Sequence, residues 1–208
     1  MMVDLEKCVG HGKCAEVCPV TAITIGNGAS ARRVEVLPEV GTDFQTNVRG
    51  IYLVGELGGR GLIRNAVNEG RTAMENIVAD LRRNPPRDGD VEVHDVAIVG
   101  SGPAGLSAGL EALRAGLPVV LEQGTVADTV RKYPRHKILM AEPVRILYGD
   151  LWIGDATKET LLAVWETTIR NSGLRIESGC QVTGIERQGL FFHLNAGACG
   201  RCAPAASC

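Results

Sequence analysis

Val96-Ala-Ile-Val-Gly100-Ser-Gly102-Pro-Ala-Gly105 is the stretch that decides the fold. An apolar run over 93–99 reads as a buried strand. Three glycines spaced G-x-G-x-x-G follow it, and residues 103–115 read as a helix ended by Gly116. Val119-Val-Leu121 reads as the next strand, closed by Glu122, 22 positions after Gly100. Each part has a physical task. Gly100 allows a tight turn, Gly102 lets backbone approach a pyrophosphate, and Gly105 permits close helix–strand packing. The helix N-terminus offers N–H groups and a partial positive charge to phosphates. The candidate cofactor loop is therefore Gly100, Ser101, Gly102, Pro103, Ala104 and Gly105. Glu122 can accept hydrogen bonds from ribose hydroxyls. Gln123 stands where an arginine would hold a 2′-phosphate, which disfavours NADP. The bland alternative is a glycine-rich turn with no ligand.

Downstream, residues 125–156 read as irregular, and Tyr133, Pro134, Arg135 and Lys137 there are read as solvated loop residues. Residues 158–171 read as a helix with Thr157 as N-cap, one apolar face (Leu161, Leu162, Trp165, Ile169) and a stop at Ser172-Gly173. Strands follow near 174–177 and 180–187, with Cys180 a small core or strand residue. Residues 195–208 match no periodic template and read as a disordered tail. Within it, Cys199-Gly-Arg-Cys202, with Cys208 beyond, could be half of a zinc site or a redox dithiol, and these cysteines are given no function.

Upstream, Ile51-Tyr-Leu-Val54 reads as a short buried strand stopped by Gly55. Ile63, Ala66, Val67, Ala73, Met74, Ile77, Val78 and Leu81 follow helical spacing, and Asn84-Pro-Pro-Arg-Asp-Gly-Asp90 breaks it as a polar linker. At the amino end stands Cys8-Val-Gly-His11-Gly-Lys-Cys14-Ala-Glu-Val-Cys18-Pro19. Its spacing is C-x2-C-x2-C-x3-C-P with His11 in the second place. Thiolates so spaced wrap a short loop around an iron–sulfur cube. Cys8, His11, Cys14 and Cys18 are the candidate ligands. Three outcomes stay open: a 3Fe-4S cluster on three thiolates, a 4Fe-4S cluster completed by His11 or an outside ligand, or loss of the cluster.

Composition narrows the classes. The chain has 208 residues, 45% hydrophobic, with 22 Lys+Arg against 24 Asp+Glu. That length allows one sizeable core plus a small module. A net charge of −2 and 4% aromatic residues argue against nucleic-acid binding and against a basic membrane-binding surface. No apolar run is long enough to span a bilayer, and no signal core is present, so a cytoplasmic location is expected. Of seven cysteines, six cluster at 8–18 and 199–208 with Cys180 alone between, which reads as ligands or free thiols rather than as a secreted disulfide scaffold.

The Gly-Ser-Gly-Pro-Ala-Gly run at 100–105 resembles the FAD loop of thioredoxin-reductase-like and related two-dinucleotide flavoproteins. Residues 125–187 look like the continuation of that domain, and Cys8 to Pro19, with Val20-Thr-Ala-Ile23 after it, resembles a bacterial ferredoxin run. Thr46-Asn-Val-Arg-Gly50-Ile-Tyr-Leu-Val-Gly55-Glu56 and Ala66-Val-Asn-Glu-Gly70-Arg-Thr-Ala73 look like the segment that closes the same FAD domain. In that family a Gly-Asp carboxylate binds the ribitol of FAD, and here Gly55 and Glu56 hold those places. The closing segment precedes the opening one. The expectation is that it completes this chain's own sheet, with 51–54 beside 96–99. The other explanation is a remnant of a preceding domain.

The resulting reading is an α/β chain: a Rossmann-type FAD/NAD(P)-binding domain with a small N-terminal ferredoxin-like (α+β) module. Its parts are 1–30 (the cysteine module), 31–90 (connector and closing βα segment), 91–194 (the dinucleotide domain) and 195–208 (the tail). The resemblance implies an FAD-dependent oxidoreductase passing electrons between FAD and a cluster, with NAD(P)H or a redox partner protein at the other end. No second glycine fingerprint for an NAD(P) domain occurs, so the chain is expected to be a fragment or to lack that domain. The rivals are a ferredoxin-type carrier without flavin chemistry, and an NAD(P)-binding dehydrogenase or regulatory module without FAD.

Overall fold

The computed structural model describes residues 12–20, 22–23, 39–59, 62–84, 94–117, 120–136, 138–139, 144–146, 149–151 and 156–197. The chain divides into two units, Met1–Val36 and Leu37–Cys208. The first contains a single-turn helix, α1 (Lys13–Glu16), entered through Gly12 in the left-handed region at φ 78.

The second unit is mixed α/β and Rossmann-like. Strand β1 (Ile98–Val99) leads into helix α3 (Pro103–Ala115), which returns to β2 (Val120–Glu122). Short helix α4 (Asp128–Arg131) and helix α5 (Lys158–Ser172) lie between β2 and β7 (Ile176–Ser178). The three strands form one parallel sheet in the order β1-β2-β7, with Ile98 beside Val120 and Val120 beside Ile176. Crossover helices are what allow sequential strands to run parallel. Helix α3 starts and stops as its sequence requires. Pro103 sits at the first turn, where its missing N–H costs nothing, and Gly116 takes φ 79 at the end. Helix α5 does the same: Thr157 Oγ1 accepts from Thr160 N–H at 3.3 Å, and Gly173 closes it at φ 74.

Helix α3 is buried on nearly all sides, because it lies between the sheet and helix α2 (Ile63–Arg83). Ala66, Val67, Gly70, Ala73, Met74 and Val78 form the buried stripe of α2. At Gly70 the two helices approach to backbone contact: a Cβ there would lie 2.1 Å from the Ala104 carbonyl oxygen. On the sheet side, a Cβ at Gly109 would lie 2.9 Å from Val120. Met74, Leu110, Val120, Leu161 and Trp165 fill the core between these layers.

The expected pairing of 51–54 beside 96–99 does not occur. Tyr52 makes only an isolated antiparallel bridge with Gln45, and β1 pairs with β2 alone among the described strands. The apolar run Ile51–Val54 is the returning arm of a small loop turned at 49–50, since Thr46 N–H donates to Ile51 O and Leu53 N–H donates to Phe44 O. The helical half of the closing segment, α2, nevertheless packs on α3. Among the described residues 94–99 of the strand read over 93–99, regular strand is confined to 98–99.

The stretch 125–156 contains short antiparallel pairs, β3 (Ile138–Leu139) with β6 (Ala156–Thr157) and β4 (Val144–Ile146) with β5 (Gly149–Leu151). Strand β8 (Val182–Gln188) continues into an unforeseen hairpin partner, β9 (Phe191–Ala196). Its signal was the two-residue link Gly189-Leu190, with Gly189 at φ 64, a conformation such turns require. The hairpin therefore runs into residues read as tail, and Gly197 N–H still donates to Gln181 O at 2.9 Å. Linker residues 85–90 and the tail cysteines Cys199, Cys202 and Cys208 lie outside the described residues. Among the described residues no helix is long and apolar enough to cross a membrane.

Gly70→Ala tests the α2–α3 contact. The methyl group cannot be placed without parting two backbones, so a loss of about 2–4 kcal/mol in denaturant unfolding is expected. Glu75→Ala, on the exposed face of the same helix, should stay within about 0.5 kcal/mol. Equal effects from the two would show that α2 does not depend on this approach.

Candidate functional site

The site is built where β1 gives way to α3. Gly100 adopts φ 98, a region closed to most side chains, and its N–H donates to Leu121 O at 2.7 Å. The turn is thus tied to the end of β2. Gly105 is required by packing, since a Cβ there would lie 1.9 Å from the Gly100 carbonyl oxygen. Gly102 is different. Its φ of −68 is open to any residue, and nothing lies within 4 Å of the Cβ position. The protein's own packing does not demand glycine there; a molecule lying against the backbone would. Helix α3 has no side-chain cap, so its first amides face the same space. These observations fit the diphosphate of a dinucleotide.

A cleft of about 280 Å³ opens beside this turn, lined by Gly100, Gly102, Pro103, Glu122, Gln123 and Cys180 among others. The structure thus brings three of the six expected loop residues, Gly100, Gly102 and Pro103, together with Glu122 and Gln123, while Ser101, Ala104 and Gly105 do not line the cleft. Ala104 is buried, touching the chain around Gly55 and Gly70 rather than the cleft. Ser101 is also buried, fully. Glu122, 6% exposed, accepts from Ser101 N–H at 2.7 Å and Ser101 Oγ–H at 2.6 Å through Oε2, and from Gly124 N–H at 2.9 Å through Oε1. A buried carboxylate needs such donors, and here they also weld the two loops of the site.

Gly55 and Glu56 arrive from the other side. Gly55 sits at φ 75 with its Cβ position 3.1 Å from the Ala104 Cβ, against the first turn of α3. Its N–H donates to Glu69 Oε2 at 2.8 Å. Glu69 was not singled out from the sequence, although a carboxylate within the stripe Ala66, Val67, Gly70, Ala73 is a signal in itself. Glu56 is exposed, in the 3-10 turn Gly55–Gly58. Its charge reaches Tyr133, whose hydroxyl is held above its ordinary pKa of 10.0, first by burial and then by Glu56. Lys158, also missed, is buried and donates through Nζ to the Arg131 carbonyl at 2.9 Å and to the Tyr133 carbonyl, fixing the chain that leads to Tyr133. Asp128 begins α4 with its carboxyl below the ordinary range, chiefly through the hydrogen bond from Lys132.

Cys180 is a buried residue at the end of β7, as expected, with its N–H on the Glu122 carbonyl at 2.9 Å. It is also disulfide-bonded. Of the expected cluster ligands, Cys14 is exposed on α1, and the Cys18 sulfur accepts from Ala22 N–H at 3.3 Å. N–H···S bonds of that kind tune cluster thiolates. Cys8 and His11 lie outside the described residues, and no group of three metal-ligating side chains occurs among the described ones.

Residues 97–198 match the family model of the pyridine nucleotide-disulphide oxidoreductases. Residues 1–24 match the 4Fe-4S binding domain, a span holding Cys8, Cys14 and Cys18. The chain thus joins an oxidoreductase-type segment to an iron–sulfur-type segment, and both point to redox chemistry. Two solved structures are similar over part of the fold. Bacillithiol disulfide reductase Bdr (YpdA) from Staphylococcus aureus aligns with a TM-score of 0.45 and 21% identity. The enzyme of the same name from Bacillus cereus aligns with a TM-score of 0.43 and 22% identity. Each alignment covers 48% of this chain and 32% of that chain, so this chain spans about a third of their length. No curated protein matches the chain.

The Tyr133 environment gives a pH test. Above pH 10 the unfolded chain loses its tyrosine proton first, so stability from the neutral buried phenol is present below that pH. It is lost as pH rises through the folded value. Glu56→Gln removes the negative charge and should lower the Tyr133 midpoint in a tyrosinate absorbance titration. An unchanged midpoint would show that Glu56 does not face the phenol.

Proposed function

We propose that this chain is the FAD- and cluster-binding part of an oxidoreductase. It passes electrons between FAD at the Gly100–Gly105 turn and an iron–sulfur cluster at the amino end. NAD(P)H or a redox partner protein is the other electron donor or acceptor. The observation that carries the flavin half is Gly102: an unstrained glycine with open space at its Cβ, at the uncapped start of α3. The match of residues 97–198 to an oxidoreductase family supports it.

FAD, when bound, supplies the exchange between two-electron hydride chemistry and one-electron transfer. The chain's own residues bind and orient. The first amides of α3 and the positive end of its dipole neutralise the diphosphate. Glu122 accepts from the adenosine ribose. Glu69 holds the Gly55 amide, so the turn carrying Glu56 is set beside the start of α3, where Glu56 takes the ribitol hydroxyls. At the amino end, Cys8, Cys14 and Cys18 supply three thiolates, which suffice for a 3Fe-4S cluster; His11 is the candidate fourth ligand for a 4Fe-4S cluster. The match of residues 1–24 supports this half. No side chain need act as acid or base in electron transfer. The ferredoxin-like module over 1–30 and the dinucleotide domain over 91–194 are the proposed working parts.

Gly102→Val separates ligand binding from folding. Thermal stability should fall by at most about 1 kcal/mol, because a side chain fits the backbone there. FAD affinity should fall at least a hundredfold, about 2.7 kcal/mol, because the side chain stands where the diphosphate lies. Wild-type protein purified anaerobically should release one FAD per chain on denaturation and contain iron and acid-labile sulfide. Iron without flavin would leave only an electron carrier; nicotinamide binding without FAD would leave a dehydrogenase or regulatory module.

A further inference from the structure

We propose that Ser101 is a positioning residue of the nucleotide site, and that it makes Glu122 a one-handed acceptor for ribose. The inference rests on the dinucleotide reading of this cleft. A carboxylate has about four lone-pair positions, two on each oxygen. Oε2 of Glu122 is filled by two donors from the same residue, Ser101 N–H at 2.7 Å and Ser101 Oγ–H at 2.6 Å. Oε1 accepts from Gly124 N–H at 2.9 Å, which leaves it one open position. An acid at the end of the second strand can in principle hold both hydroxyls of a ribose, one on each oxygen. Here only Oε1 has capacity left, so Glu122 accepts from one hydroxyl.

Rotation of the Ser101 hydroxyl does not release Oε2. Ala127 N–H lies 3.4 Å from Ser101 Oγ and 3.2 Å from Ser101 O, so one lone pair of the hydroxyl is already directed at the following loop. The hydroxyl proton is left for Glu122. The amide bond to Oε2 persists whatever the hydroxyl does. Ser101 is fully buried, so water does not replace these donors. Ala127 itself adopts φ 55, a left-handed conformation that a non-glycine residue keeps only when its surroundings impose it. The contacts from Ser101 supply that constraint. One buried serine therefore sets both the acceptor geometry of Glu122 and the loop that ends at α4.

The test uses the full chain stripped of flavin, titrated calorimetrically with ADP-ribose and with its 2′-deoxy and 3′-deoxy forms at the adenosine ribose. In the wild type, removal of one of the two hydroxyls should weaken binding about tenfold or more, as for a hydrogen bond to a charged group. Removal of the other should change it less than about twofold. In Ser101→Ala, Oε2 keeps the amide and gains an open position, so the second hydroxyl should now count. Ser101→Thr, which keeps the hydroxyl, should restore the wild-type pattern. A merely structural serine would scale all three affinities together and leave the pattern unchanged. The wild-type comparison stands even if the variants fold poorly. Equal losses from both deoxy forms, or loss from neither, overturn the proposal while the dinucleotide reading survives. No binding of any of the three, with no FAD in the purified protein, overturns that reading and this inference with it.

Discussion

Helix α3 can serve the site only because glycines let its neighbours approach closely on three of its sides, backbone on two and side chains on the third. Gly105 lets it close on the turn after β1, Gly109 lets it settle on Val120 and Leu174, and Gly70 of α2 presses on the Ala104 carbonyl. Each of these positions would lie within 3 Å of a neighbour if it carried a Cβ. Interiors packed to this density have no slack for an added methyl group. The orientation of the first amides of α3 is therefore fixed by packing far more than by any cap, and the rest of the site is arranged around those amides.

Two buried carboxylates finish the arrangement, and they work alike. Glu122 gathers Ser101 and Gly124, and Glu69 gathers Gly55. In each case a charge drawn out of water is met by backbone N–H groups of a tight turn, which would otherwise be left without partners. The turns proposed to meet a cofactor are thereby stiffened in its absence, which lowers the ordering cost of binding. Lys158 extends the scheme by holding the carbonyls of Arg131 and Tyr133.

Much of this was legible in the chain. The helix of 103–115 was read with its observed limits, because Pro103 and Gly116 act locally. The helix of 158–171 was readable for the same reason, through Thr157 and Gly173. The turn at 100–105 was legible because its glycines serve different needs at fixed spacing. The run Ile51–Val54 misled: its apolar residues suggested a sheet strand, and they are half-buried in a loop closed by Phe44, Gln45 and Thr46. A short apolar run does not reveal its partner. The hairpin of β8 and β9 was half seen, since the Gly189-Leu190 link is a weaker signal than a strand's own pattern.

Local chemistry along the chain settled where helices begin and end, where backbone must take positive φ, and which residue types could meet a phosphate or a metal. Those are matters of single residues and their near neighbours. Long-range packing settled that α2 lies against α3 although it precedes the loop that α3 begins, and that β1 is left without the segment 51–54 beside it. It also settled that Glu122 is already held by Ser101, and that Glu69 rather than an obvious site residue anchors Gly55. These depend on which surfaces exclude water from one another, and no window of sequence contains both partners.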